Sequence, residues 1–335
     1  MNKLLLIDGN NLFHRAYHAI PHLTNKEGEA TNAVYGFSNM LIKAINEAGP
    51  RFVACAFDTQ APTFRHVEFE AYKAQRVAPP PDLYPQLPKV KKVLDAYGIK
   101  YFEKEGYEAD DLIATLATQA LRKTTKAKRL KHEKSLDVSR SALSVIILSG
   151  DRDCLQLVDR NVKVQMPGWN QNETTLYGAR EVKEKFGLEP HQMVDYKSLT
   201  GDPSDNVPGI SGVGPKTASA LLQKYHTLEN LFKKLAEIPE PLKSKLEAGK
   251  DTALAAKKLI ELDRDVDIEL ELGKLEFKPD WQKVRGEFEE LGFRSIVAKI
   301  PNGSQLTVDS SQKKKKKSVN REPGTGNKSN QLELI

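Results

Sequence analysis

A mostly parallel α/β sheet flanked by helices, followed by a helical region, is the fold class the sequence predicts, and three observations predict it. Apolar runs of strand length recur at residues 3–7 (KLLLI), 52–57 (FVACAF), 144–148 (SVIIL) and 162–166 (VKVQM). Residues 34–48, 85–97 and 108–121 alternate with them and carry apolar side chains at helical spacing. Strands in continuous apolar runs, separated by helices, describe a sheet covered on both faces. From about residue 178 to 300 the pattern is helical throughout, with Gly/Pro turns. The 335 residues suit two domains at about 150 residues each, here 1–177 and 178–300. Beyond Pro301 the chain is polar and of low complexity, the composition of a disordered tail over 301–335.

Composition excludes several classes. Hydrophobic residues at 39% and charged residues at 29% can build a core, and no apolar run approaches the roughly 18 residues of a membrane span. The amino terminus has one lysine and four consecutive apolar residues before Asp8, too short for a secretory signal, so it reads as the first strand. Cys55 and Cys154 are the only cysteines and lie in apolar surroundings, which excludes a disulfide framework or Cys-type zinc site and points to a reducing cytoplasm. The net charge of +6 is unevenly spread. Residues 122–140 hold eight Lys/Arg against two acids and residues 301–335 seven against three, so the rest of the chain is net negative. An acidic body with basic appendages is not a uniformly basic nucleic-acid binder.

The acids stand where strands end. LLLI runs into Asp8, VACAF into Asp58, and VIILSG into Asp151 and Asp153. Ligands of open parallel sheets bind beyond the carboxyl ends of the strands, so three strands deliver aspartates to one crevice. A helix opening at Glu108-Ala109-Asp110-Asp111 adds three acids, and the loop 200–206 (TGDPSDN) adds Asp202 and Asp205. Singly, each also suits a turn or a helix cap. Nine converging carboxylates would repel one another without cations, and oxygen donors with neither Cys nor a His pair favour two Mg²⁺ or Mn²⁺ ions over zinc. Two such ions about 4 Å apart activate water and stabilise the leaving oxygen of a phosphodiester. The segment 207–218 (VPGISGVGPKTA) puts Gly212, Gly214, Lys216 and Thr217 at a helix start, a turn whose N–H groups suit a phosphate of any sequence.

Together these motifs resemble the 5′-nuclease family, comprising the 5′→3′ exonuclease domain of bacterial DNA polymerase I and flap endonucleases. IDGNNLFHRAYHA, AVYGF, FD at 57–58, YKAQR, GYEADD, LSGDRD and LTGDPSDNVPGISGVGPKTA occur in the family's order, from residue 1 to about 300, apart from an apparent basic insertion at 122–142. The resemblance implies a PIN-like core and a metal-dependent nuclease that cuts branched or nicked DNA and RNA primers near a 5′ end. It assigns Asp8, Asp58, Glu108 and Asp110 mainly to one metal and Asp151, Asp153, Asp202 and Asp205 to the other, with Asp110 and Asp111 near the middle. It makes residues 63–87 a helical arch whose Lys73 and Arg76 contact the scissile phosphate, with Tyr72 positioning DNA. His14 stands where many relatives carry a stacking tyrosine, beside Arg15 as a further DNA contact. The glycine turn resembles a helix-hairpin-helix in which the carbonyls of Ile210 and Val213 hold K⁺. No polymerase-like segment follows, so a standalone, monomeric nuclease is expected. The final QLELI resembles a sliding-clamp peptide, with Gln331 orienting it and Leu332, Leu334 and Ile335 filling an apolar pocket. A non-cleaving branched-DNA-binding module is the alternative, and a PIN-type ribonuclease a third reading that needs no glycine turn.

Overall fold

The computed structural model describes residues 2–129, 143–168 and 173–301. Six strands form one sheet in the order β3-β2-β1-β4-β5-β6. They are β1 (Asn2–Asp8), β2 (Phe52–Ala56), β3 (Lys100–Phe102), β4 (Leu143–Leu148), β5 (Val162–Pro167) and β6 (Thr174–Tyr177). All pairings are parallel except β5 with β6. Strand β1 is central, and its side chains alternate between two cores. Leu4 and Leu6 join Leu112, Ile113 and Leu116 of α5 (Ala109–Arg129), whereas Leu5 and Ile7 join α1 (Gly9–Ala19), α2 (Asn32–Ala48) and α4 (Leu87–Ala96). Burying each of these four side chains contributes roughly 1.5–3 kcal/mol, which holds the strand ends in place.

The four strands expected from apolar runs are present, as are the three helices. Strands β3 and β6 carry too few residues to register as runs, and α1 follows β1 without a loop because the Asp8 carboxylate caps it, accepting from Asn11 N–H at 3.0 Å. Helix α5 continues through residue 129, so the first part of the expected insertion is helix, and 130–142 lie outside the described residues.

The helical region contains α6 (Ala179–Phe186), α7 (Met193–Thr200), α8 (Pro215–Tyr225), α9 (Leu228–Lys233), α10 (Leu242–Ala248) and α11 (Lys250–Ile260). Leu199, Ile210, Leu222, Leu231 and Leu246 are buried in its own core. Its expected extent to residue 300 needs correction. Leu262, Val266, Leu270 and Leu275 pack on one face of the sheet, and Val284 and Phe288 of α12 (Trp281–Glu290) with Ile296 of α13 (Arg294–Val297) pack on the other. The helical period of α12 reports an apolar face but not which surface it covers. Residues 1–300 accordingly form one compact unit.

The expected helical arch over 63–87 also differs. Within 63–83 only α3 (Phe64–Glu68) is α-helical, followed by turns over 70–75 and a run without regular secondary structure at 76–80. Pro79, Pro80 and Pro81 lack the N–H groups that a continuing helix requires. Residues 71–75 instead lean on the acid loop: Asn206 donates to Ala71 O at 2.7 Å, Lys73 N–H to Asp205 O at 3.0 Å, and Gln75 to Pro203 O at 3.0 Å.

Candidate metal centre

The carboxyl ends of the adjacent strands β2, β1 and β4 carry Asp58, Asp8 and Asp151, and the turn after β4 carries Asp153. Short polar neighbours set their directions. Asn10 donates to Asp58 at 2.7 Å, and Asp58 also accepts the Ala109 N–H at 2.6 Å, tying β2 to the first turn of α5. Ser149 donates to Asp8 at 2.6 Å and accepts from Asp151 N–H at 3.0 Å, while Asn11 accepts from Gly150 N–H at 2.8 Å. Asn10, Asn11 and Ser149 were not singled out from sequence, although each lies two or three residues from an acid in the motifs IDGNN and LSGDRD.

Burial raises the affinity of these acids for protons. It pushes Asp8 up to about 7 against the Ser149 and Asn11 hydrogen bonds, with Asp58 and Asp151 adding repulsion. Burial likewise holds Asp58 above its ordinary range, and holds Asp110 well above it together with repulsion from Asp111 and Glu108.

A second group converges from the helical region. Asp153, Asp202 and Asp205 each bring a carboxylate oxygen within 4.8 Å of the others, and all three residues are buried. Lys197 of α7 binds Asp153 and lies 2.6 Å from Asp202. Burial pushes Asp153 up to about 7 despite Lys197, with Asp151 and Asp202 adding to the rise. Asp202 moves the other way, because Lys197 and the Ser204 hydrogen bonds outweigh its burial. Lys197 sits four residues before Gly201 and was missed from sequence, since one lysine in a short helix carries no periodic signal. The loop is closed by backbone contact: a Cβ on Gly209 would lie 2.3 Å from Gly201 N, and Gly201 itself has φ +75.

Lys73 and Arg76 enter the same crevice. Lys73 Nζ lies 2.5 Å from Glu108 and 3.9 Å from Asp205, and Arg76 lies 2.6 Å from Asp205. Although burial alone would lower it, the Lys73 ammonium is held above its ordinary value by Glu108 and Asp205. Its backbone has φ 56, a left-handed conformation costly for a lysine and maintained by the Asp205 carbonyl bond. Tyr72 departs from a DNA-facing position: it is 4% exposed and donates to Glu108 at 2.9 Å. Its aromatic body packs with Val194, Val207 and Leu259.

Asp111 also departs from the expected ligand set. It is fully buried and receives both terminal nitrogens of Arg65 at 2.7 and 2.8 Å. The adjacent Asp110 is half-buried and does not share that arrangement. Arg65, absent from the sequence reading, is 1% exposed.

At the rim, His14 is half-buried and lies 3.3 Å from the Tyr84 hydroxyl, the two rings meeting edge to face at 5.7 Å. Burial, His18 and Arg76 all depress the His14 pKa, favouring a neutral ring. Arg15 donates to the Gly168 carbonyl. In the glycine turn, Gly212 has φ +77, Gly214 precedes α8, and Lys216 and Thr217 fall in its first turn. Ile210 and Val213 are buried, and the Ile210 carbonyl accepts from Val213 N–H at 3.0 Å. The terminal residues Gln331, Leu332, Leu334 and Ile335 lie outside the described residues.

Asp153, Asp202 and Asp205, the one such cluster among the described residues, offer carboxylate oxygens only, the donor set of a hard dication. Residues 3–187 match the family model for the 5′-3′ exonuclease N-terminal resolvase-like domain, and residues 188–283 match the 5′-3′ exonuclease C-terminal SAM fold. DNA polymerase I of Caldicellulosiruptor bescii is 38% identical over 302 residues, 89% of this chain and 33% of that one. The Geobacillus stearothermophilus DNA polymerase I is 41% identical over 301 residues, 89% and 32% of the two chains. The chain thus spans about a third of the length of these curated relatives. Among solved structures, a bacteriophage T5 flap endonuclease complex with DNA and metal ions aligns with TM-score 0.58 at 17% identity, over 89% of this chain and 96% of that one. The catalytic core of Rad2 with DNA substrate aligns with TM-score 0.54 at 18% identity, over 87% of each chain. These two likenesses bear on the fold. On the matched family models and the identity to its relatives, the chain belongs to the 5′-3′ exonuclease family.

Proposed function

We propose that this crevice makes the chain a structure-selective, divalent-metal-dependent 5′→3′ exonuclease and flap endonuclease acting on branched or nicked DNA and on RNA primers in replication and repair. The convergence of Asp153 with Asp202 and Asp205 carries the proposal, because it joins the sheet edge to the helical region in one set of hard oxygen donors. Asp8, Asp58, Glu108 and Asp110 would hold one Mg²⁺ (or Mn²⁺), and Asp151, Asp153, Asp202 and Asp205 the other. Bound there, two dications supply an activated water and stabilise the leaving oxygen of the phosphodiester.

The chain's own residues do the rest. Lys73 and Arg76, paired with Glu108 and Asp205, offer cationic groups that can turn to the scissile phosphate as its charge develops. Tyr72 holds Glu108 through its hydroxyl and orients it. Lys197 neutralises Asp153 and Asp202, which lets buried acids approach one another. Gly212, Gly214, Lys216 and Thr217 would receive duplex phosphate at the start of α8, with the Ile210 and Val213 carbonyls as K⁺ ligands and His14, Tyr84 and Arg15 contacting DNA at the crevice rim. The chain would act as a monomer in the bacterial cytoplasm, and the terminal QLELI would dock a sliding clamp.

Labelled 5′-flap, nicked and pseudo-Y duplexes incubated with Mg²⁺, and in parallel with chelator, test the activity. Metal-dependent cleavage near the junction is expected; tight binding with every substrate intact would establish the non-cleaving alternative, and equal cutting of unstructured RNA the ribonuclease. Polarisation titration of the terminal peptide against purified clamp tests docking, with Leu332→Ala and Leu334→Ala expected to lose it.

A further inference from the structure

Arg65 heads the largest fully buried side chains among the described residues and carries a charge. It projects from α3 between the first turn of α5 and the chain just after α11. Its Nε donates to Leu259 O at 2.7 Å and one terminal nitrogen to Glu261 O at 3.2 Å. The same terminal nitrogen bonds one oxygen of Asp111 at 2.8 Å, and the other bonds the second oxygen at 2.7 Å. That second nitrogen also lies 3.4 Å from Glu108.

Asp111 is equally committed. Its two oxygens also accept the backbone N–H groups of Glu108 at 3.2 Å and Asp263 at 2.9 Å. Four donors occupy the roughly four lone-pair sites of a carboxylate, leaving none for a metal ion. Glu108 has the opposite character: besides Arg65 it meets the Lys73 ammonium in the crevice and the buried Tyr72 hydroxyl.

We infer that Arg65 and Asp111 are a positioning pair, in which Asp111 holds the guanidinium off Glu108 and so leaves Glu108 available to a cation in the crevice. The inference rests on the metal-dependent reading above. Its physical basis is competition between two anions for one buried cation. While Asp111 is charged, the bidentate geometry at 2.7 and 2.8 Å favours it over the single 3.4 Å approach to Glu108. With Asp111 made neutral, Arg65 keeps its charge in a desolvated site and Glu108 becomes its nearest anion. Glu108 would then be withdrawn from the crevice by a competitor that dications must displace. Removing the guanidinium as well would remove the competitor.

The test is Mn²⁺ binding to the full chain, read from the free-ion electron paramagnetic resonance signal, with Mg²⁺-dependence of flap cleavage alongside and circular dichroism as the check on folding. Asp111→Asn should weaken Mn²⁺ binding at the Glu108 side about tenfold, in the range found for residues that orient metal ligands. Arg65→Gln combined with Asp111→Asn should return it to within about threefold of the native chain, since no buried cation remains to compete. A double variant as weak as Asp111→Asn would overturn the inference, because an Asp111 that ligated metal directly could not be rescued by changing Arg65. Should Asp111→Asn fail to fold, Arg65→Gln alone decides: binding at least as tight as native is expected, and weaker binding overturns the pair. If the native chain neither binds Mn²⁺ nor cleaves, the metal-dependent reading itself has failed.

Discussion

Replacing Asp8 by Asn should stabilise the metal-free protein at pH 8 and do much less at pH 5. Asp8 is 5% exposed, and burial with repulsion from Asp58 and Asp151 pushes it up to about 7 from 3.8. Between about pH 4 and 7 the folded protein therefore keeps a proton that the unfolded chain has released, so stability falls as pH rises through that window and levels off above it. At 1.36 kcal/mol per unit, the carboxylate costs about 4 kcal/mol at pH 8, of which about 3 kcal/mol accrues above pH 5. Asparagine removes this cost while its oxygen still accepts from Asn11 N–H and its amide nitrogen can donate to Ser149 in place of accepting from it, so a gain of about 2–4 kcal/mol is expected. His14 contributes with the opposite sign, its depressed pKa making stability rise with pH through its titration. Comparing Asp8→Asn with the native chain at each pH cancels that contribution. Urea denaturation followed by circular dichroism, in chelator at pH 5 and pH 8, measures the difference. Mg²⁺ at 100 times its dissociation constant should restore about 2.7 kcal/mol to the native chain at pH 8. A variant no more stable than native at pH 8 in chelator would refute the argument, as would equal gains at both pH values.

Asp151→Ala with Asp153→Ala should abolish cleavage while DNA binding in chelator is retained or tightened, because unmetallated carboxylates repel phosphate; undiminished Mg²⁺-dependent cutting would dismiss the assignment. Lys73→Ala and Arg76→Ala should each lower the single-turnover rate about a hundredfold and change affinity only about threefold, as groups acting on developing charge do. A tenfold loss of binding at an unchanged rate would make them simple phosphate contacts. Gly209→Ala should cost about 2–3 kcal/mol in thermal or urea melts and impair metal binding, since its Cβ meets backbone at 2.3 Å and must spread the loop bearing Asp202 and Asp205. Native-like stability and Mn²⁺ affinity would show that the loop tolerates the shift.

Much of the site was legible because its acids occupy positions with a repeating local grammar. An apolar run ending in an aspartate identifies both a buried strand and the residue at its carboxyl end, so Asp8, Asp58, Asp151 and Asp153 could be placed on one edge before any coordinates. The order of the motifs extended that placement to Glu108, Asp110, Asp202 and Asp205, and the glycine turn marked the start of α8. Periodicity also identified α12, but an apolar stripe fits more than one surface, and only the tertiary structure returned residues 262–300 to the sheet.

The distinction between Asp110 and Asp111 shows the same limit at atomic scale. Adjacent in sequence and identical in chemistry, they differ because successive residues of a helix point about 100° apart. One turns toward Arg65, brought from 46 positions earlier in the chain, and the other does not. Lys197 similarly meets Asp153 across 44 positions. Residue type and spacing determined which groups can carry charge to the crevice. Which charges neutralise one another there was decided by the packing of α3, α5, α7 and α11, because a buried ion pair depends on a few ångströms of separation between segments whose sequence distance carries no such information.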